Sequence, residues 1–222
     1  MMLTLDERLR ALVEMVPVCR EFADIGCDHG RLGAQLLLSG RVQRVQFTDI
    51  SAPSMEKARE LIRKLELSDR AVFRVGDGAR ALAEKPDAAV IAGMGASTIS
   101  KIISEGADIL SDAEIFLQPN LDEAELRECL EKNGYAITQE RVVRAAGRWY
   151  VLIAARRGEM HLSETERIAG TASMREDRQA YEGYAQFRLR VAKKALEGAR
   201  AATDGRAEEL QRAIEIWEEA VK

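Results

Sequence analysis

The chain has 222 residues, enough for one domain or a domain with an accessory piece, and enough to bury a sizeable core. With 46% hydrophobic and 32% charged residues, and only 16 Gly and 4 Pro, it is neither collagen-like nor a Pro-rich disordered chain. The formal charge is −4, from 33 basic and 37 acidic side chains, so any hold on a polyanion must come from local patches.

Leu5, Leu9, Leu12 and Val16 recur at helical spacing and predict a helix over residues 3–16. A short strand, Glu21 to Ile25, follows and runs into glycines. Residues 32–38 form an apolar helix stopped near Ser39-Gly40, and 44–48 a second strand closed by Asp49. Ser51 starts the next helix, with Pro53 in its first turn, and the pattern runs to about Leu65. Strands are predicted over 71–75, ending in Gly76-Asp77-Gly78, and over 88–92, ending in Gly93-Met94-Gly95. A helix over 98–103 leads to a fifth strand, 114–117, which ends in Gln118-Pro119-Asn120. A helix over 123–131 is closed by Asn133-Gly134. Segments 135–143 and 149–155 then face each other across Ala146-Gly147 as a hairpin.

Strands alternating with helices imply a parallel sheet covered on both faces, here an α/β, Rossmann-like sheet of about seven strands with an antiparallel strand in the final hairpin. Composition shifts after Arg157: residues 163–222 show no strand pattern and no proline. A short helix from Ser163 breaks at Gly170, and a longer one starts near Arg175 with Tyr184, Phe187, Val191 and Ala195 along one stripe. After a turn at Thr203-Asp204-Gly205, a last helix carries Leu210, Ile214, Trp217 and Val221. This tail reads as an antiparallel helical hairpin, giving a domain over 1–157 and a helical one over 158–222.

The three cysteines, Cys19, Cys27 and Cys129, are widely spaced and form no CxxC pair; the histidines are only His29 and His161. Neither a disulfide framework nor a metal site is expected. The N-terminus carries acids and no signal-peptide core, and no stretch approaches the roughly 18 apolar residues of a membrane span, so a cytoplasmic location is the expectation; a monomer is expected as well.

Chemistry concentrates at the strand ends. Asp24-Ile25-Gly26-Cys27-Asp28-His29-Gly30 follows the first strand and opens a helix, where glycines admit a ligand close to the backbone and free N–H groups point outward. The glycines at 26, 30 and 33 do not make GxGxxG, which counts against a dinucleotide and an NAD-dependent oxidoreductase. Asp24 suits a cationic ligand, Asp49 two ribose hydroxyls, and Asp77 the exocyclic amine of adenine. Those are the parts of S-adenosylmethionine. Blander roles stand beside these: a helix cap for Asn120, a small loop filler for Cys27, a loop brace for His29, and core packing for Trp149, Tyr150, Tyr181, Tyr184 and Phe187.

The chain resembles the bacterial tRNA (adenine-N1)-methyltransferases of the TrmK type, through DIGCDHG at 24–30, FTDI at 47–50, GDG at 76–78, IAGMG at 91–95, LQPN at 117–120, NGY at 133–135 and RWYVLIAA at 148–155. The resemblance covers roughly residues 3–157, and the tail matches in kind the family's C-terminal coiled-coil-like domain. Ala96 stands where the family usually has a further glycine. The resemblance implies methylation of N1 of adenine 22 in tRNA, with S-adenosylmethionine lined by Asp24, Gly26, Cys27, His29, Gly30, Asp49, Ile50, Asp77, Gly78, Gly93, Met94 and Gly95. The N1 lone pair needs no strong base, but the product is cationic, so carboxylate or carbonyl groups of Asp28, Gln118 and Asn120 are the candidates to stabilise it. N1 lies on the Watson–Crick edge, so the base must be unpaired or flipped. For the RNA, Arg141, Arg144 and Arg148 of the hairpin and Arg188, Lys193, Lys194 and Arg200 of the tail are the candidate phosphate contacts. Rival readings keep the fold with another RNA, a protein or a small-molecule substrate, or make the chain a non-catalytic binding module.

Overall fold

The computed structural model describes residues 3–199 and 206–222. Seven strands form one sheet: β1 Cys19–Ile25, β2 Val42–Asp49, β3 Ala71–Val75, β4 Ala88–Met94, β5 Glu114–Pro119, β6 Tyr135–Ala145 and β7 Arg148–Arg157. Their order is β3-β2-β1-β4-β5-β7-β6. The first five run parallel, and β7 is antiparallel to both β5 and β6. The strand count and hairpin thus follow the sequence expectation, with β7 inserted between β5 and β6.

Alternation along the central strands divides the core. Phe22, Val45, Phe47, Val90 and Phe116 point to the layer of α1 (Glu7–Met15), α2 (Arg31–Leu38) and α3 (Ala52–Lys64). Their neighbours Ala23, Ile91 and Leu117 point to the other layer. That layer holds α4 (Ala96–Glu105), α5 (Glu123–Lys132), α6 (Glu164–Ala169), α7 (Arg178–Ala199) and α8 (Arg206–Ala220).

Element ends shift by a few residues for local reasons. The first helix begins at Glu7 because Asp6 caps it, accepting from the Leu9 N–H at 2.7 Å; residues 3–6 lie outside the helix. Ser51 caps α3 and Pro53 sits in its first turn, as expected. A capping box at Ser163 and Glu166 starts α6, which stops at Gly170 with φ 88°. A 3-10 turn, Ala172–Arg175, then delays the long helix to Arg178. Arg200 and the turn at Thr203-Asp204-Gly205 lie outside the described residues.

Trp217 is buried against Tyr184 in an edge-to-face contact, ring centroids 5.7 Å apart, and Tyr184 in turn meets Trp149 of β7 at 6.4 Å. The tail therefore packs into the same apolar cluster as the sheet. Among the described residues no helix is long and apolar enough to cross a membrane, and no group of three or more His, Cys, Asp or Glu side chains is placed to hold a metal ion.

Candidate active site

Strand order reverses between β1 and β4, the point where an open parallel sheet leaves a crevice beyond its carboxyl ends. A cleft of about 430 Å³ opens there, lined by Asp24, Gly26, Asp28, Gly93, Met94 and Asn120, with Cys27 and His29 on the same wall. The loop after β1 is shaped by two glycines. Gly26 has φ 71°, and a Cβ there would lie 2.0 Å from the Met94 methyl. Gly30 caps α2 at φ 66°. On the facing strand Gly93, at φ 77°, sits where the β4–β5 register shifts between Ala92 and Met94. That bulge turns the strand end into the cleft. Gly95 caps α4, and Ala96 is buried in the core cluster and does not line the cleft.

Asp24 is buried at the end of β1, and its Oδ2 accepts the Gly33 N–H at 3.0 Å. Burial pushes its pKa up to about 7, the Gly33 hydrogen bond pulls the other way, and the Asp49 and Asp28 carboxylates add to the rise. A carboxyl so placed favours a cation beside it. Burial also pushes the Cys27 thiol far above its ordinary range, with Asp24 and Asp49 adding, so Cys27 is a small wall residue and no nucleophile.

Asp49 braces the loop. Its Oδ2 accepts the Asp28 N–H at 2.9 Å and its Oδ1 the Ser51 N–H at 2.8 Å. Each oxygen keeps a lone pair for a hydroxyl. Asp28 has φ 49°, a left-handed conformation that Asp tolerates better than most residues. His29 Nε2 lies 3.1 Å from Lys57 Nζ and 3.5 Å from Asp28 Oδ1, tying the loop to α3. Asp49, Ile50, Asp77 and Gly78 stand outside the cleft wall, further along the same sheet edge. Ile50 is 73% exposed. Asp77 pairs with Lys101 at 3.4 Å, and Gly78 accepts from Thr48 Oγ1 at 3.3 Å.

Asn120 is not a helix cap; Asp122 occupies that position of α5. Its Nδ2 donates to the Gly93 carbonyl at 2.8 Å, and its backbone N–H donates to the Met94 carbonyl at 2.8 Å. Gln118 is fully buried behind the wall, its Nε2 donating to Pro119 O at 2.7 Å and Asn120 Oδ1 at 3.2 Å. Its Oε1 accepts from Arg8. Sequence reasoning passed over Arg8 and assigned Tyr150 to the core; both line the cleft, with the guanidinium 5.4 Å from the Tyr150 ring centroid. Arg8 is one charge in an ordinary amphipathic helix, which nothing in the local pattern marks, and Tyr150 is one aromatic on a strand whose alternation reads as core.

The basic residues scatter. Arg141 pairs with Glu14 of α1 at 3.3 Å, away from the cleft, while Arg144 and Arg148 are exposed at the β6–β7 turn. Arg188 is held by Glu123 and by Tyr184 Oη at 3.1 Å. Burial works to raise the Glu123 pKa, but Arg188 outweighs it and holds the carboxyl below its ordinary value. Arg188 thus joins α7 to α5 and is not available to a phosphate. Lys193 pairs with Glu218 of α8 at 2.7 Å, and Lys194 is exposed.

Residues 5–153 match the family model described as a methyltransferase domain. The chain is 31% identical to the tRNA (adenine(22)-N(1))-methyltransferase of Bacillus subtilis over 159 residues, 71% of this chain and 67% of the relative. It is also 31% identical over 157 residues to a tRNA methyltransferase of Mycoplasma pneumoniae, 68% of this chain and 71% of that one. The crystal structure of the B. subtilis m1A22 tRNA methyltransferase TrmK superposes with a TM-score of 0.88 at 25% identity, over 99% of this chain and all of that one. M. capricolum TrmK in complex with S-adenosylhomocysteine shares the fold at a TM-score of 0.86 and 21% identity, over 100% of this chain and 98% of that one. A methyltransferase domain over two thirds of its length and these relatives make the chain a member of the tRNA (adenine(22)-N(1))-methyltransferase family of the TrmK type.

Proposed function

We propose that the protein transfers the S-methyl group of S-adenosylmethionine to N1 of an adenine in tRNA, position 22 by family membership, as a cytoplasmic monomer. The observation that carries this reading is the row of carboxylates Asp24, Asp49 and Asp77 at the carboxyl ends of adjacent strands β1, β2 and β3, beside the glycine loop. The residues fit the cofactor. Asp24 is a buried acid facing a cleft, the group a methionine ammonium and sulfonium would pair with. Arg8, which lines the same cleft, is the cation for the carboxylate. Asp49 keeps the lone pairs that a ribose diol needs. Exposed Ile50 offers an apolar face to adenine, and Asp77 accepts its amine once Lys101 shares or releases it. Gly26, Gly30, Gly78, Gly93 and Gly95 admit the ligand to the backbone, with Cys27, His29 and Met94 completing the wall.

When bound, S-adenosylmethionine supplies an electrophilic methyl group on a sulfonium. The protein's part is then positional and electrostatic. Asn120, held by the Gly93 carbonyl and by Gln118, fixes the rim where the target base enters. Gln118 acts through Asn120 as a positioning residue. Asp28, on the loop beside the cleft, places negative charge where the N1-methyladenine cation develops. No general base is required, because N1 carries a free lone pair. Residues 1–157 hold the chemistry, and 158–222, with the hairpin tip, hold the RNA; Arg144, Arg148 and Lys194 are the described cations best placed for phosphates.

Primer extension on unmodified tRNA, with and without protein and cofactor, tests the reading. A cofactor-dependent stop at one adenine is expected. Binding of NAD in place of S-adenosylmethionine, or no stop on any tRNA, would overturn it.

A further inference from the structure

A second depression, of about 670 Å³, opens between the end of β5, the β6–β7 turn and α7, and Asn120 lines both it and the cleft. Its floor is apolar. Leu121, Phe187 and Val191 are 68%, 37% and 46% exposed, three of the six large apolar side chains that the described residues leave in water. Its rim carries Arg144, Arg148 and Arg190 against one exposed acid, Asp122, on a chain whose overall charge is −4. Arg188, beneath them, is already neutralised by Glu123. An apolar floor with one exposed aromatic ring and a guanidinium rim matches one nucleotide: a base stacks on the ring and the phosphate meets the arginines.

The position of the groove supplies the rest. An adenine whose N1 reaches the cleft has left its stack, and its neighbour has lost a stacking partner. Asn120 separates the two cavities, so the neighbouring nucleotide falls beside the groove. We propose that the groove is a subsite for the nucleotide flanking the target adenine, its base on Phe187, Val191 and Leu121 and its phosphate on Arg148 and Arg144. This rests on the RNA-methylation reading and adds a specificity site to it. Binding the flanking base there offsets the loss of stacking and holds the target extruded.

The test uses the full chain. Phe187→Ala and Arg148→Ala remove surface groups, and each is expected to raise KM for unmodified tRNA about tenfold, while Kd for S-adenosylmethionine and Tm stay at the wild-type values. Transcripts carrying an abasic residue on either side of the methylated adenine supply the second arm. On one side the abasic transcript should raise the wild-type KM by a similar factor, and Phe187→Ala should lose nothing further on it, since both changes delete one contact. Wild-type KM in both variants would overturn the subsite and leave a protein partner as the occupant of the groove. Losses that multiply independently between variant and abasic transcript would overturn it too. Failure of the underlying reading looks different: the wild type would bind S-adenosylmethionine and leave tRNA unmethylated.

Discussion

Asp24 carries opposite consequences for stability and for function. Its pKa rises on folding from 3.8 to about 7, so its contribution to stability is present below about 3.8 and is lost as pH rises through about 7. At pH 8 the folded protein holds a buried carboxylate with no cation beside it. Asp24→Asn keeps an acceptor for the Gly33 N–H and removes that charge, so thermal denaturation should show a higher Tm than wild type at pH 8, with the gap closing below pH 4. The same variant should bind S-adenosylmethionine more weakly. Calorimetric titration should find wild-type affinity falling as pH drops from 8 to 6 and Asp24 takes up its proton, relative to the Asn variant. Asp28→Asn is a different case. Asn tolerates the left-handed backbone at φ 49°, and the backbone N–H to Asp49 survives, so cofactor affinity should hold. Single-turnover methylation should slow by tenfold or more, and an unchanged rate at saturating tRNA would remove Asp28 from the chemistry. The three acids draw notice only as a set: each alone would pass for a cap or a turn, but carboxylates at three successive strand ends point to one ligand. Arg8, Gln118 and Tyr150 meet only through the fold: residues separated by 110 positions form the Arg8–Gln118 hydrogen bond, and no local pattern encodes it.

Among the elements, the strands were legible to within two residues at each end, although β4 runs on through Gly93 and β5 takes in Pro119, where the sequence places their stops. Their order was less so. That β7 slots between β5 and β6 depends on register, with Ile115 opposite Ala155 and Leu117 opposite Ile153, which hydrophobic alternation alone does not assign. Part of the join between sheet and tail was also hidden, because it is ionic. Arg127 of α5 and Glu140 of β6 form a fully buried pair at 2.8 Å. Arg127 also donates to the Arg167 carbonyl at 2.9 Å, and Glu140 Oε2 accepts the Thr171 N–H at 2.6 Å. The pair thus clasps the chain on either side of Gly170. Removing one member leaves an uncompensated buried charge, at a cost of about 3–5 kcal/mol. Arg127→Ala should lower the urea midpoint accordingly, whereas Arg127→Met with Glu140→Leu should recover much of the loss. A single Arg127→Ala variant as stable as wild type would show that the clasp carries no weight.

For the whole molecule, the question is what the tail does for a protein that must hold a polyanion on a net charge of −4. Truncation after Arg157 would be the simple experiment, but the packing argues against its giving a clean answer. Met174, Tyr181, Tyr184, Ile216 and Trp217 belong to the same buried cluster as Leu126, Leu130, Tyr135 and Val151. The fragment 1–157 would expose that surface and strip Glu140 and Arg127 of their tail partners. It is expected to bind a hydrophobic dye and aggregate, and a soluble, monomeric fragment would contradict this account of the packing. Charge reversal isolates the electrostatic role without touching the core. Lys193→Glu is the poorer choice, since Lys193 is engaged with Glu218 and the new acid would repel it. Lys194 is exposed on α7, so Lys194→Glu should leave Tm and cofactor affinity near wild type. If Lys194 neutralises a phosphate, tRNA affinity should fall and the slope of log affinity against log salt should flatten by roughly 0.7–0.9 for that contact. A variant with the wild-type slope would place the phosphate track on the β6–β7 turn alone, where Arg144 and Arg148 stand on the rim of the neighbouring groove.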